Sequence, residues 1–263
     1  MKWIESVENP FIKEIKKIKK QPDGKIFIEG INLVESALNS PFVQIEKVLF
    51  TEQIIKKGIS IFEVLQKKDI SIAGISENIS KKISETVSPQ GIFAVARYKA
   101  QNIIDLSNTN PTFIVILDRI QDPGNLGTII RASEAFGAEG ILITKGTCNP
   151  FSGKALRASA GSIFFIPVIE ASVMEIKDFI LKNRLNFFIT DPYGEKLSFK
   201  IDFRKPLAIA FGNEASGVSS EIREIKHTSC KILQEGKTES LNVAISSAVL
   251  LYEILRQRSL KNF

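Results

Sequence analysis

The chain has 263 residues, 44% of them hydrophobic, and a formal net charge of +6. That much apolar sequence supports one large or two modest domains with cores of their own and excludes a disordered tail. No apolar run reaches the ~18 residues of a membrane span, the start Met1-Lys2-Trp3-Ile4-Glu5 lacks the apolar stretch of a signal peptide, and Cys148 and Cys230 form no C-x-x-C pair. A disulfide framework and a structural zinc site are both disfavoured, and a reducing cytoplasm fits the composition best.

Asn9-Pro10 precedes a lysine-rich helix in which Phe11, Ile15 and Ile18 share one face. Lys13, Lys16, Lys17, Lys19 and Lys20 cover the rest, and Gln21-Pro22-Asp23-Gly24 ends it as a turn. Residues 25–30 read as a strand, 31–38 as a helix, 45–50 as a strand, 61–67 as a helix, 70–75 as a strand, 80–86 as a helix and 91–98 as a closing strand. This alternation describes a small α/β domain over residues 1–100. Residues 101–110 are polar and aperiodic, and read as a linker. In the second domain, 111–263, the run 112–117 has the composition of a fully buried strand. Helices are expected at 126–136, 174–185 and 240–258, and strands at 140–144, 163–168, 186–190 and 207–211. The pattern predicts a parallel sheet with helices on both faces, where ligands bind at the carboxyl ends of strands. The positive charge mildly favours a polyanionic partner, although solvated lysines account for the same balance.

Three separated segments put polar residues and glycines where an apolar strand gives way to a turn. The first is Asp118-Arg119-Ile120-Gln121-Asp122-Pro123-Gly124-Asn125-Leu126-Gly127-Thr128-Ile129-Ile130-Arg131. Asn125 is suited to cap the helix that follows, and Arg131 falls within its first two turns at a broadly similar azimuth. The second is Phe211-Gly212-Asn213-Glu214-Ala215-Ser216-Gly217, with Ser219 or Ser220 placed to cap a further helix. The third is Glu239-Ser240-Leu241-Asn242-Val243-Ala244, where Ser240 is a good N-cap and Asn242 interrupts an apolar stripe of Leu241, Ala244, Ile245, Ala248, Leu251 and Leu255. Each segment taken alone is equally readable as an ordinary turn, and the stripe as core or a dimer face. Other chemistries fail on spacing. No G-x-G-x-x-G follows a strand, and Lys231 stands where a phosphate-binding loop ending in Gly236-Lys237-Thr238 needs glycine. Glu214 occupies the first glycine position of a nucleophile elbow around Ser216. His227, the single histidine, reads as a surface residue.

In this order the three segments resemble the motifs of the SpoU (TrmH-type) RNA ribose methyltransferases of the SPOUT superfamily. The resemblance covers residues 111–258. It implies an α/β fold with a C-terminal trefoil knot, S-adenosylmethionine as cofactor without a metal, and a homodimer formed largely by the last helix. It implies catalytic or orienting roles for Asn125, Arg131, Glu214, Ser240 and Asn242. Arg131 would hold RNA phosphate and polarise the ribose 2′-hydroxyl, and Glu214 would pair with Arg131. Gly212, Ile232, Leu241 and Thr190 fall on cofactor positions. One departure stands out: Leu233 and Gln234 replace the usual Pro-Met, removing a rigid residue and an apolar contact to the cofactor. The N-terminal part, through Phe27-Ile28-Glu29-Gly30, is similar to the substrate-binding domain of such enzymes, with Lys13, Lys16 and Lys17 as RNA contacts. The implied activity is 2′-O-methylation of structured RNA, ribosomal RNA ahead of tRNA. The alternative is a non-catalytic RNA-binding or ribosome-assembly factor that keeps the fold.

Overall fold

A computed structural model describes residues 2–20, 23–56 and 61–259. The chain divides into two compact units, Met1–Ala100 with Phe151–Phe165, and Gln101–Pro150 with Ile166–Phe263.

In the first unit the strands are β1 (Lys2–Ile4), β2 (Lys25–Glu29), β3 (Val43–Thr51), β4 (Ser71–Ile75) and β5 (Ile92–Tyr98), and the helices between them are α1 (Pro10–Lys20), α2 (Ile31–Leu38), α3 (Glu52–Lys56), α4 (Ile61–Lys67) and α5 (Glu77–Ile83). The sheet order is β1-β4-β3-β5-β2. β1, β4 and β3 run parallel, while β5 is antiparallel to β3 and to β2. Ile12, Ile15 and Ile18 of α1 are buried against Phe27, Leu49, Ile75 and Phe93 of the sheet, and Phe11 packs on the same cluster half-buried. The inner stripe of α1 therefore begins one residue later than Phe11. α5 starts at Glu77 rather than near residue 80, because the Ser76 side chain accepts from Ile79 N–H and caps it. Of the turn expected at 21–24, Gln21 and Pro22 lie outside the described residues; Asp23 and Gly24 both have left-handed φ, 40° and 73°.

The second unit contains α6 (Ile103–Asn108), β6 (Phe113–Asp118), α7 (Pro123–Ala135) and β7 (Gly140–Ile143). The chain next forms α8 (Gly153–Ser159), which lies in the part assigned to the first unit. It returns as β8 (Val168–Glu170), α9 (Val173–Lys182), β9 (Asn186–Thr190), β10 (Lys196–Leu197), β11 (Leu207–Gly212), α10 (Ser220–Arg223), β12 (Thr228–Lys231) and α11 (Val243–Ser259). The seven-stranded sheet has the order β10-β12-β9-β11-β6-β7-β8 with every pair parallel. β6 and β11 are buried along their whole length, as a parallel sheet covered on both faces requires. Among the described residues no helix is long and apolar enough to cross a membrane.

Three expectations are corrected here. Residues 101–110 do not form a structureless linker: Asn102 caps α6 by accepting from Asp105 N–H, and buried Leu106 joins the core of the second unit. Residues 163–168 are not a strand. Ser162–Phe164 is a 3-10 turn, and pairing with β7 begins at Val168, just after Pro167, which has no N–H to donate. The last helix begins at Val243 rather than near residue 240, for a reason found in the site itself.

Candidate functional site

Four neighbouring parallel strands, β12, β9, β11 and β6, end at Lys231, Thr190, Gly212 and Asp118. The carboxyl ends of β12, β9 and β11, with the loop before α11, wall a cavity of about 570 Å³. Thr190, Gly212, Ile232 and Leu241 all line it, as do Glu214, Ser240 and Asn242.

The loop after β11 is closed on itself. Asn213 and Gly217 exchange two backbone hydrogen bonds of 3.0 and 2.9 Å, and Gly217 takes a left-handed φ of 66°. A Cβ at Gly212 would run into the backbone of Gly217 and Val218, so glycine is required there by the loop's own closure. The Asn213 carboxamide fastens the loop further: its oxygen accepts from Ala215 N–H and Ser216 N–H, each at 3.0 Å, and its nitrogen donates to Arg119 C=O at 2.9 Å. Glu214 is thereby held out from a rigid frame.

The turn after β6 meets that frame. Arg119 has φ 58°, and its N–H donates to Thr144 Oγ1 at 3.1 Å. Buried Asp118 accepts from Thr144 Oγ1 at 2.8 Å and from Ser219 N–H at 2.7 Å. Asp122, not Asn125, is the N-cap of α7: it accepts from Asn125 N–H, and Pro123 fills the first helical position. Released from capping, the Asn125 carboxamide donates to Glu214 Oε1 at 3.0 Å. Gln121 N–H and Asp122 N–H donate to the same carboxylate, each at 3.2 Å. Burial opposes ionisation of Glu214, but these donors outweigh it and hold the carboxyl below its ordinary range.

Asn242 joins the third segment. Its oxygen accepts from Ala244 N–H at 2.9 Å and Ile245 N–H at 3.3 Å, which makes it the N-cap of α11 in place of Ser240. Its nitrogen donates to Asn125 Oδ1 at 3.1 Å. The result is one relay across three distant segments: Asn242 donates to Asn125, and Asn125 donates to Glu214. Ser240 lines the cavity and makes no hydrogen bond to a described residue.

The expected Glu214–Arg131 pair is not formed. Arg131 is exposed, lies outside the cavity wall, and has no hydrogen bond or ion pair with a described residue. Helix geometry explains this: six residues on from Asn125 at 3.6 per turn is about 120° around the axis, not the same face.

The sequence reading missed several wall residues. Asp191 accepts from Arg223 at 2.8 Å and from Tyr193 N–H at 2.8 Å; burial opposes its ionisation, yet these partners hold its carboxyl low. The Cys230 thiol, also on the wall, is pushed up to about 12 by burial and cannot serve as a thiolate nucleophile near neutral pH. The Gln234 carboxamide oxygen is buried without a partner.

Comparison with known proteins places the chain in a family. Residues 112–252 match the family model described as the SpoU rRNA Methylase family, and residues 27–101 match RNA 2′-O ribose methyltransferase substrate binding. A curated relative, the 23S rRNA (guanosine(2553)-2′-O)-methyltransferase RlmP of Bacillus subtilis, is 30% identical over 97% of this chain and 99% of its own. Among solved structures, an rRNA methyltransferase from Sinorhizobium meliloti superposes with a TM-score of 0.84 at 28% identity, over 97% of each chain. The AdoMet-bound form of an rRNA methyltransferase from the same organism gives 0.82 at 29% identity, again over 97% of each chain. The chain belongs to the SpoU rRNA methylase family.

Proposed function

We propose that this protein methylates a ribose 2′-hydroxyl of ribosomal RNA, with S-adenosylmethionine held in the cavity at the strand ends. The observation that carries the reading is the relay Asn242–Asn125–Glu214, which ties three sequence segments to residues of one cavity wall. Family membership, the 23S rRNA methyltransferase relative and the AdoMet-bound neighbour support the substrate and the cofactor.

The residues present suit that cofactor. Ile232, Leu241 and Leu250 offer apolar walls to a purine, the Asp191–Arg223 pair offers both charges to a zwitterionic end, and Ser240 and Gln234 carry uncommitted polar groups. Thr190, Gly212, Ile232 and Leu241 would hold it. When bound, S-adenosylmethionine supplies a methyl group already activated on a sulfonium. The protein's task is then orientation, worth about 7–11 kcal/mol for a well-placed pair. Glu214 already accepts three hydrogen bonds and is a weak proton acceptor; it is a positioning residue for Asn125. Asn125, Ser240 and Asn242 orient the hydroxyl. Arg131, uncommitted and exposed, grips an RNA phosphate in a bidentate manner.

The first unit supplies further grip on RNA. Lys16 and Lys17 are exposed on α1 and make no hydrogen bond or close ion pair with a described residue, whereas Lys13 is engaged by Glu8 at 2.7 Å and contributes less. Ile245, Val249 and Tyr252 leave an apolar stripe exposed on α11 at spacings of four and three residues. A second copy of this chain covers it in a homodimer, a state that sedimentation equilibrium would read directly. The cytoplasm, where ribosomal RNA is modified, is the proposed location.

Incubation of the pure protein with unmodified ribosomal RNA and methyl-labelled S-adenosylmethionine, followed by nucleoside mass spectrometry, tests the activity. A labelled 2′-O-methylnucleoside is expected. No label on ribosomal RNA or tRNA, together with no cofactor binding, would leave a non-catalytic RNA-binding role.

A further inference from the structure

We propose that Gln234 is a specificity-determining residue for the cofactor, and that its carboxamide reads the amino-bearing edge of the adenine ring. The inference rests on the assignment of this cavity to S-adenosylmethionine.

Three observations lead to it. Gln234 lines the cavity, on the loop that also contributes Ile232 and Leu241 to the wall. Its Oε1 is enclosed by protein and accepts no hydrogen bond. Its Nε2 likewise donates to no described residue, so both ends of the carboxamide are uncommitted. Buried polar groups are almost always paired, and an orphan acceptor beside a cavity calls for a donor from whatever fills that cavity. The unpaired oxygen also disfavours the side-chain rotamer seen without ligand, which eases a turn of the carboxamide toward the cavity.

The chemistry of the partner follows from the donor and acceptor sets. A carboxamide offers one acceptor and one donor side by side, in a plane. Adenine presents its exocyclic amino donor next to the N7 acceptor, and Gln pairs with that edge through two hydrogen bonds; a 6-oxo purine presents two acceptors there and leaves the Gln oxygen unpaired however the carboxamide turns. The other donors of S-adenosylmethionine fit the site less well at this position. Its ammonium group is cationic and suits the Asp191 carboxylate better than a neutral amide. Its ribose hydroxyls lack the planar donor–acceptor pair. Ile232 and Leu241, apolar and half-buried, provide surfaces for the ring faces beside that edge.

The test is calorimetric and needs no turnover. S-Adenosylhomocysteine and S-inosylhomocysteine differ at the purine 6-position, where an oxo group replaces the amino donor. The wild-type protein is expected to bind the adenosyl compound at least about tenfold more tightly, the effect of one lost hydrogen bond that leaves its partner unpaired. In Gln234→Met that preference should fall to within about threefold, with affinity for the adenosyl compound changed far less than the ratio. An unaltered ratio in Gln234→Met would overturn the proposal. So would a wild-type protein that binds both compounds equally, a result independent of whether the variant folds. Failure of the wild-type protein to bind either compound is distinguishable from these, and would remove the cofactor assignment of the cavity itself.

Discussion

Glu29 in the first unit and Glu214 in the second each draw three donors from a single turn of chain. Glu29 accepts from Ser84 Oγ at 2.5 Å, Thr86 Oγ1 at 2.7 Å and Glu85 N–H at 2.9 Å. Glu214 accepts from Asn125 at 3.0 Å and from Gln121 N–H and Asp122 N–H, each at 3.2 Å. The chemistry is shared, but the settings differ. Glu29 is buried, its bonds are short, and the cluster ends where it began, in the turn after α5. Glu214 is exposed, its bonds are longer, and one donor passes the connection on to Asn242. A closed, short-bonded carboxylate cluster braces a fold. An open-ended one at a cavity wall holds polar groups ready for a ligand.

Removing the carboxylates separates the two kinds of work. Glu29→Ala removes a buried carboxylate acceptor from Thr86 Oγ1, Glu85 N–H and Ser84 Oγ, of which only Ser84 keeps another acceptor, Thr86 C=O, and should destabilise the protein by about 3 kcal/mol. Chemical denaturation followed by circular dichroism would show it, and a change under about 1 kcal/mol would refute the bracing role. Glu214→Gln, in an exposed setting, should shift stability by less than about 0.5 kcal/mol. Its remaining oxygen can still accept from Asn125 and Asp122, but its amide nitrogen faces Gln121 N–H, so the relay's anchor loses its charge and one of its three bonds. Methyl transfer in single-turnover assays should slow about 100-fold, near 2.7 kcal/mol of transition-state stabilisation. Equal losses of stability in the two variants would erase the contrast.

The same contrast marks what was legible in the sequence. Periodicity located α2 and α4 because each buries one face, and the apolar runs of β6, β9 and β11 announced a parallel sheet. The linker reading of 101–110 failed because buried Leu106 and Ser107, with Ile103 packed on the same core, dock a six-residue helix too short for a periodic signal. Within the site, Asn125, Glu214 and Asn242 were found through the motifs, but their partners were not. Assigning the α7 cap to Asn125 overlooked Asp122 and Pro123, whose order alone signals a capped start. The Arg131 pairing failed on helix azimuth, which spacing could have supplied. Asp191, Arg223 and Gln234 come together only by strand order, and strand order is not written in local pattern.

A smaller effect is expected at the far end of the relay. Asn242→Ala removes the cap from α11 and the donor to Asn125 together. Lost capping alone should cost about 1 kcal/mol of stability. Asn242→Asp keeps the acceptor for Ala244 and Ile245 but loses the donor, so it separates the two roles. The Asp variant is expected to recover most of the stability and little of the methyl-transfer rate. Recovery of both would show that Asn242 acts only as a cap, and that the open end of the cluster has no bearing on chemistry.

The smallest effect lies in the pH dependence of Glu214. Its carboxyl titrates below the ordinary glutamate range in the folded protein, because Asn125 and the two N–H groups favour the ionised form over the opposition of burial. A carboxylate depressed in the folded state adds stability that is fully present above the unfolded value, about 4.3, and is lost as pH falls through the lower folded value. Solvent access to this side chain keeps the contribution small. Thermal midpoints of the wild-type protein and Glu214→Gln, compared from about pH 7 down to about pH 3.5, should therefore differ by a nearly constant amount above about pH 5 and converge below it. The convergence belongs to Glu214 alone, since every other acidic group is shared by the two proteins. A gap that instead widened on acidification would mean the carboxyl is held protonated, and the donors around it would then have to be assigned to the neutral form.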